Sequence, residues 1–168
     1  MRLLRAGRDL RLAEWCIAAG AIRNVVWDHL HGHTEPTRPS DVDFLFYDRA
    51  RPEPAYEKEL ERRLSALAPG VRWECVNQAT VHAYTREPPY GSIEEAMSRW
   101  ADPVSAVGVR LDERDALHVV APHGLADVFG LVVRPHLVAP NAAAVYRERL
   151  ATKRWGERWP RLRIVPLP

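Results

Sequence analysis

The 168-residue chain holds only two cysteines, Cys16 and Cys75. They have neither the spacing of a zinc site nor that of a disulfide framework. Both lie in apolar, strand-like contexts and read as reduced core thiols. No apolar run approaches the roughly 20 residues that cross a bilayer, so no membrane partner is expected. The first residues interleave arginine with leucine and lack the unbroken apolar stretch of a signal peptide, which makes a cytoplasmic location the expectation. Internal repeats, low-complexity tracts and linkers are also missing. A content of 46% hydrophobic and 27% charged residues is that of an ordinary globular chain. The length predicts a single domain over residues 1–168, with a core over about 12–121 and a C-terminal helical part over about 122–168.

The net charge of +2 conceals a segregation. Residues 1–11 hold four Arg against one Asp, and residues 147–163 hold seven basic residues against two Glu. The middle is therefore acidic. Basic ends of this kind fold back on the acidic body, meet an anionic substrate such as a triphosphate or nucleic acid, or, the plainer reading for most of these residues, are solvated helix faces with surface salt bridges.

Hydrophobic periodicity gives the order of elements. Residues 13–19 read as a buried strand ending at Gly20, and residues 22–30 as a helix stopped by Gly32. A second strand covers 41–47, a helix 52–67 with its apolar stripe at Tyr56, Leu60, Leu64 and Leu67, and a third strand 71–76. Beyond these, 78–85 predicts a short helix, and Ser92 with Glu95 a capping box. Residues 104–111 and 116–121 predict a hairpin closed by 112–115. Helices are expected over 123–133 and 141–155, and an extended tail over 161–168. Strand–helix alternation followed by a helical and hairpin half defines an α/β (α+β) fold with a small mixed sheet.

Three features point to chemistry. Asp41 and Asp43 stand at i and i+2 where a strand begins, so they share a face. Neighbouring carboxylates repel unless solvated or bridged by a cation, and such hard oxygen ligands suit Mg²⁺. Upstream, Ala19-Gly20-Ala21 passes directly into a helix, a small-residue turn that lets backbone N–H groups approach phosphate. Arg23 and Asn24 in its first turn add a guanidinium and an amide; a tight connection with Arg23 paired to an acid is the plainer alternative. Downstream, Glu74 sits inside an otherwise apolar strand and needs a partner. Arg72, a basic terminus, a metal or a general-base role are the options.

Gly20-Ala21, Asp41-x-Asp43 and a third acid Glu74 on the next strand together resemble the active-site plan of the nucleotidyltransferase superfamily, which includes DNA polymerase beta. More closely, the chain resembles a bacterial family of predicted nucleotidyltransferases in residues 18–28, Asn77-Gln78-Ala79, Pro88-Pro89-Tyr90, residues 106–111 and Lys153-Arg154-Trp155. The resemblance implies a nucleotidyltransferase-like small mixed sheet with helices packed behind it. It implies that Gly20, Ala21, Arg23, Asn24 and Lys153 bind the nucleotide's phosphates. Asp41 and Asp43 would hold Mg²⁺ or Mn²⁺, and Glu74 would ligate a second ion or deprotonate the attacking hydroxyl. The implied reaction transfers a nucleoside monophosphate from a nucleoside triphosphate to a hydroxyl acceptor (small molecule, protein or RNA) with release of pyrophosphate. The second turn residue is Ala21 where Gly or Ser is usual. That departure leaves a non-catalytic nucleotide-sensing or protein-binding module as the alternative.

Other residues read more plainly. His29, His31 and His33 straddle a predicted helix end, where a solvated loop outweighs a metal set. The six tryptophans read mainly as packing. Asn77 either orients substrate or caps the following helix.

Overall fold

The computed structural model describes residues 1–168. The chain begins with α1 (Arg2–Asp9), β1 (Trp15–Ala18), α2 (Gly20–His31), β2 (Val42–Phe46), α3 (Pro54–Leu67) and β3 (Trp73–Asn77). It continues through α4 (His82–Thr85), α5 (Ile93–Ser98), β4 (Gly108–Leu111), β5 (Leu117–Val120) and α6 (Ala126–Phe129). Last come β6 (Val132–Val133), α7 (Ala142–Lys153), α8 (Trp155–Arg158) and β7 (Arg163–Ile164). Five strands form one mixed sheet in the order β3-β2-β1-β4-β5, with β2 and β3 parallel and the other neighbours antiparallel. The mixed α/β fold expected from the strand–helix alternation is present.

Alternation along each strand divides the sheet into two faces. Trp15 and Ile17, Val42, Phe44 and Phe46, and Trp73 and Cys75 pack against Leu4 of α1 and the stripe Tyr56, Leu60 and Leu64 of α3. Leu60 and Leu64 are wholly buried, and each such burial is worth about 2 kcal/mol. α1 lies so close that a Cβ on Gly7 would stand 2.5 Å from the Trp15 ring. The opposite face carries Cys16, Ala18 and Leu45 under Ile93 and Met97 of α5. Both cysteines are buried and unpaired, and burial pushes the Cys16 thiol up to about 12. A third cluster, centred on Trp27, joins α2 to Tyr146, Trp155 and Trp159 of the C-terminal part.

Ser92 caps α5 as expected, its Oγ accepting from the Glu95 N–H at 3.0 Å, while the Glu95 carboxylate accepts from the Gly91 N–H. Two C-terminal helices differ from expectation. The predicted helix over 123–133 is only the short α6, because Leu131 takes φ 55° and the next two residues pair with β7. The Tyr146 hydroxyl reaches the carbonyls of both Val133 and Val165, at 3.1 and 2.6 Å. The helix over 141–155 breaks at Arg154, which takes φ 48° between α7 and α8.

The basic N-terminal segment folds back on the body. Arg5 and Arg8 both bind Asp115 in the turn between β4 and β5.

Candidate active site

Register builds the site. Ala18 at the end of β1 lies opposite Asp43, and Asp43 lies opposite Glu74, so the three cross the sheet in one row. Asp43 and Leu45 leave the face opposite Val42 and Phe44, just as Glu74 and Val76 leave the face opposite Trp73 and Cys75. Asp41, two residues before Asp43, opens onto the same cleft. Leading the row, Ala18 contributes only a methyl beside Asp43.

The turn after β1 is formed by Ala19, which takes φ 53° and ψ −123°. That conformation is strained for any residue with a Cβ, and strain of this kind gathers at functional sites. Ala19 donates to the Val107 carbonyl at 2.9 Å and accepts from the N–H groups of Ile22 and Arg23. The N–H groups of Gly20 and Ala21 find no acceptor in the chain, as befits the first turn of a helix. A Cβ at Gly20 would stand 3.4 Å from Pro39 and 3.6 Å from the Arg23 guanidinium, so glycine keeps the space between them open.

These groups line a cleft of about 450 Å³. Gly20, Arg23, Asn24, Asp41, Asp43, Glu74 and Lys153 all border it; Ala21 does not. The Ala21 side chain packs instead with the α1/α3-side core. Its methyl therefore takes no space from a phosphate, which removes the main ground for a non-catalytic reading. Arg38, Arg149, Arg158 and Ser105 also face the cleft and were not anticipated. Arg149 and Lys153 stand at i and i+4 on α7, one face of one helix, and that spacing was the available signal.

Arg23 is 5% exposed and has no carboxylate in contact. Its guanidinium packs against the edge-to-face pair of Trp27 and Trp155, 5.0 and 4.7 Å from their ring centres, and donates to Ser105 Oγ at 2.8 Å and Asn24 Oδ1 at 3.3 Å. Burial lowers its pKa to about 10, offset in part by nearby Asp102, so it stays charged at neutral pH. Asp102 itself is fully buried, accepting from the Ser105 N–H at 2.8 Å and from Arg149 at 2.7 Å. Arg23 thus presents a buried cation with an unpartnered Nε beside the turn.

The acids are equally free. Neither Asp43 nor Glu74 has a hydrogen bond or ion pair in the chain, and Asp41 accepts only from the Ser40 hydroxyl, at 3.1 Å. The sequence had placed Glu74 in an apolar interior needing a partner. It is instead exposed in the cleft, and neither Arg72 nor a basic terminus pairs with it. Burial first, then the charges of Asp41 and Glu74, raise the Asp43 pKa, Arg149 and Arg23 pull it back, and the net value is about 6. The three carboxylates are not drawn together into a closed ligand cluster. As oxygen donors whose one protein partner is Ser40, at Asp41, and one of them reluctant to ionise beside the others, they fit the chemistry of Mg²⁺ or Mn²⁺.

Other candidates have structural duties. His31 accepts the Arg161 N–H at Nε2 and lies 2.8 Å from the Trp27 carbonyl, while His33 contacts Asp28 at 3.0 Å. Asn77 commits both ends of its amide to the backbone of Asp48, Arg51 and Ala79, so it does not face substrate; its bond from the Ala79 N–H caps the turn that leads into α4. Asp28, unremarked in the sequence, accepts from Thr37, His33 and Trp159 and ties α2 to the C-terminal part.

A five-stranded mixed sheet with carboxylates paired across β2 and β3 beside a helix-entry turn defines a nucleotidyltransferase-type fold. The match of a nucleotidyltransferase family model to residues 5–164 shows that the chain belongs to that family of enzymes. It is also similar to a solved structure described as a CCA-adding enzyme head domain, with 31% identity and a TM-score of 0.84 over 98% of this chain and 88% of that one. Two further structures share the fold. A CCA-adding enzyme with CTP has 15% identity and a TM-score of 0.60, and the Thermotoga maritima CCA-adding enzyme with tRNA has 16% and 0.58. Each is matched over 97% of this chain, which spans only 38% and 37% of their lengths. Curated proteins gave no match. No helix is long and apolar enough to cross a membrane.

Proposed function

We propose that the chain transfers a nucleoside monophosphate from a nucleoside triphosphate to a hydroxyl acceptor and releases pyrophosphate. The observation that carries this reading is the register pairing of Asp43 with Glu74, both unpartnered, in a cleft shared with Asp41, Gly20 and Arg23. The Gly20 N–H, the Arg23 guanidinium, Asn24 and Lys153 bind the β- and γ-phosphates, while Ala21, which does not border the cleft, takes no part. Asp41 and Asp43 would hold Mg²⁺ or Mn²⁺, which would supply charge neutralisation for the transfer. Glu74, the most open of the acids, takes the acceptor's proton as its oxygen bonds to the α-phosphorus and the bond to pyrophosphate breaks. Arg23 is fixed against two indoles and by Ser105 before substrate arrives, so little order remains to be gained on binding.

The CCA-adding relatives support a nucleoside triphosphate as donor. The acceptor class (small molecule, protein or RNA) is the open chemical variable. The test incubates the protein with each of the four common nucleoside triphosphates, Mg²⁺ or Mn²⁺, and pools of RNA, protein and small polyols, following pyrophosphate. Metal-dependent release that is lost in Asp41→Asn and in Glu74→Gln is expected. Release that survives both substitutions, or no metal-dependent release with any pool, refutes the reading.

A further inference from the structure

The two ends of the cleft differ in charge. The α2 end holds Arg23, Arg38, Lys153 and Arg158, the complement of a polyphosphate. The end along β3 is walled by Val76, Gln78, Val81 and Trp100, and its one cation, Arg149, is already paired with buried Asp102 at 2.7 Å. In-line displacement puts the attacking hydroxyl on the side of the α-phosphorus away from pyrophosphate. With phosphates at α2 and the α-phosphorus at Asp41 and Asp43, that side is β3, where Glu74 stands.

Gln78 continues the β3 ladder, its N–H donating to the Phe46 carbonyl at 2.8 Å. Four residues beyond Glu74, it lies on the same face at a backbone distance of about 13 Å. The side chain is 2% exposed, yet its Oε1 has no hydrogen-bond partner, while Nε2 makes only a 3.3 Å contact with the Val76 carbonyl. A buried amide oxygen left unpaired is costly, and this one borders the cleft. Between it and Glu74 the floor is apolar, formed by Leu45 and Val76, and the Trp100 indole borders the same space. A second cavity of about 130 Å³ adjoins it, sharing Val81, Trp100 and Arg149 and reaching Thr85 and Tyr90.

We propose that this end is the acceptor subsite and that it takes a neutral, sugar-bearing acceptor. One hydroxyl of the sugar meets Glu74, the ring lies against Trp100, and an N–H or O–H further along donates to Gln78 Oε1. Gln78 is then a specificity-determining residue. An indole and an amide edge suit a nucleoside or a plain saccharide alike, and the one cation there, Arg149, is already engaged by Asp102 and lies over the Trp100 ring at 5.8 Å. The inference rests on the nucleotidyl-transfer reading above.

The test uses NMR titration of the full chain with Mg²⁺ and the α,β-methylene analogue of ATP. The loaded protein is then titrated with adenosine or cytidine in one arm and with methyl glucoside in the other. Binding of a probe in at least one arm, with a shift of the Gln78 side-chain amide, is expected. Gln78→Met should weaken that binding at least tenfold while changing analogue affinity less than twofold. Since Oε1 has no partner to lose and Nε2 only the 3.3 Å contact with Val76, the variant should melt close to the parent. Val81→Phe, which fills the same end from another residue, should give the same selective loss and serves if Gln78→Met misfolds. An analogue-loaded protein that binds neither probe, or binds them equally well after both substitutions, overturns the subsite. A loss of analogue affinity in Gln78→Met also overturns it, by assigning Gln78 to the donor nucleotide. Failure of the parent protein to bind the analogue sinks the transfer reading itself and is seen before any probe is added.

Discussion

Asp43→Asn should raise stability while abolishing transfer. Burial and the two neighbouring carboxylates lift the Asp43 pKa from 3.8 to about 6. At about 1.4 kcal/mol per pH unit this corresponds to about 3 kcal/mol of folding free energy opposed by the ionised group. Relaxation of the cleft and adjustment of Asp41 and Glu74 reduce the realised gain to about 1–2 kcal/mol, or roughly 3–6 °C in Tm for a chain of this size. The sign follows from linkage. The folded state binds the proton more tightly than the unfolded chain, so the favourable contribution is complete below 3.8 and is lost as pH rises through about 6. Asparagine never ionises and keeps it. The stabilisation by Asp43→Asn is therefore largest above pH 7 and shrinks by about two thirds at pH 4.5. Thermal melts of parent and variant at pH 7.5 and 4.5, without divalent ions, provide the assay. A variant that melts below the parent at pH 7.5, or a difference that does not vary with pH, would refute the electrostatic account.

Three more predictions follow from the packing. Asp28→Ala strands the donors of Thr37 and Trp159 and should cost at least about 3 kcal/mol, read by urea unfolding. Burial raises the Asp28 pKa, but hydrogen bonds from Thr37, Trp159 and His33 outweigh it. The stability this carboxylate contributes is thus present above its unfolded pKa and lost as pH falls through the lower folded value, a loss that Asp28→Ala should not show. Gly108→Ala drives a Cβ to 2.7 Å from the Cys16 sulfur and should destabilise by about 2 kcal/mol in the same assay. Arg23→Met keeps the bulk against Trp27 and Trp155 and removes a buried cation. It should change stability by less than about 1 kcal/mol yet weaken triphosphate binding about tenfold, measured by calorimetry.

The first half of the fold was legible because each of its elements carries its own signal. Phe44 and Phe46 alternate with Asp43 and Leu45, and Tyr56, Leu60 and Leu64 repeat at helical spacing. The acids and the Gly20 turn were legible for the same reason, since spacing on a strand fixes facing. Other features depend on contacts distant in sequence. Residues 132–133 become a strand only because residues 163–164 pair with them, and no local pattern announces that. Arg38, Arg149 and Arg158 reach the cleft through loops and helices whose docking is set by the Trp27 cluster. Of the two basic ends, one meets Asp115 and the other borders the cleft, a distinction charge counting cannot make. The positive φ of Ala19 was equally invisible, because the neighbouring glycine was the natural candidate for it.

Manganese relaxation of backbone amides in the uniformly ¹⁵N-labelled chain interrogates the proposed ion site without needing substrate. Line broadening at substoichiometric Mn²⁺ should centre on residues 41–43 and 74, spread to Gly20, and vanish in the Asp41→Asn, Asp43→Asn double variant. Broadening centred elsewhere, or unchanged in that variant, would contradict a divalent ion held by Asp41 and Asp43 beside Glu74.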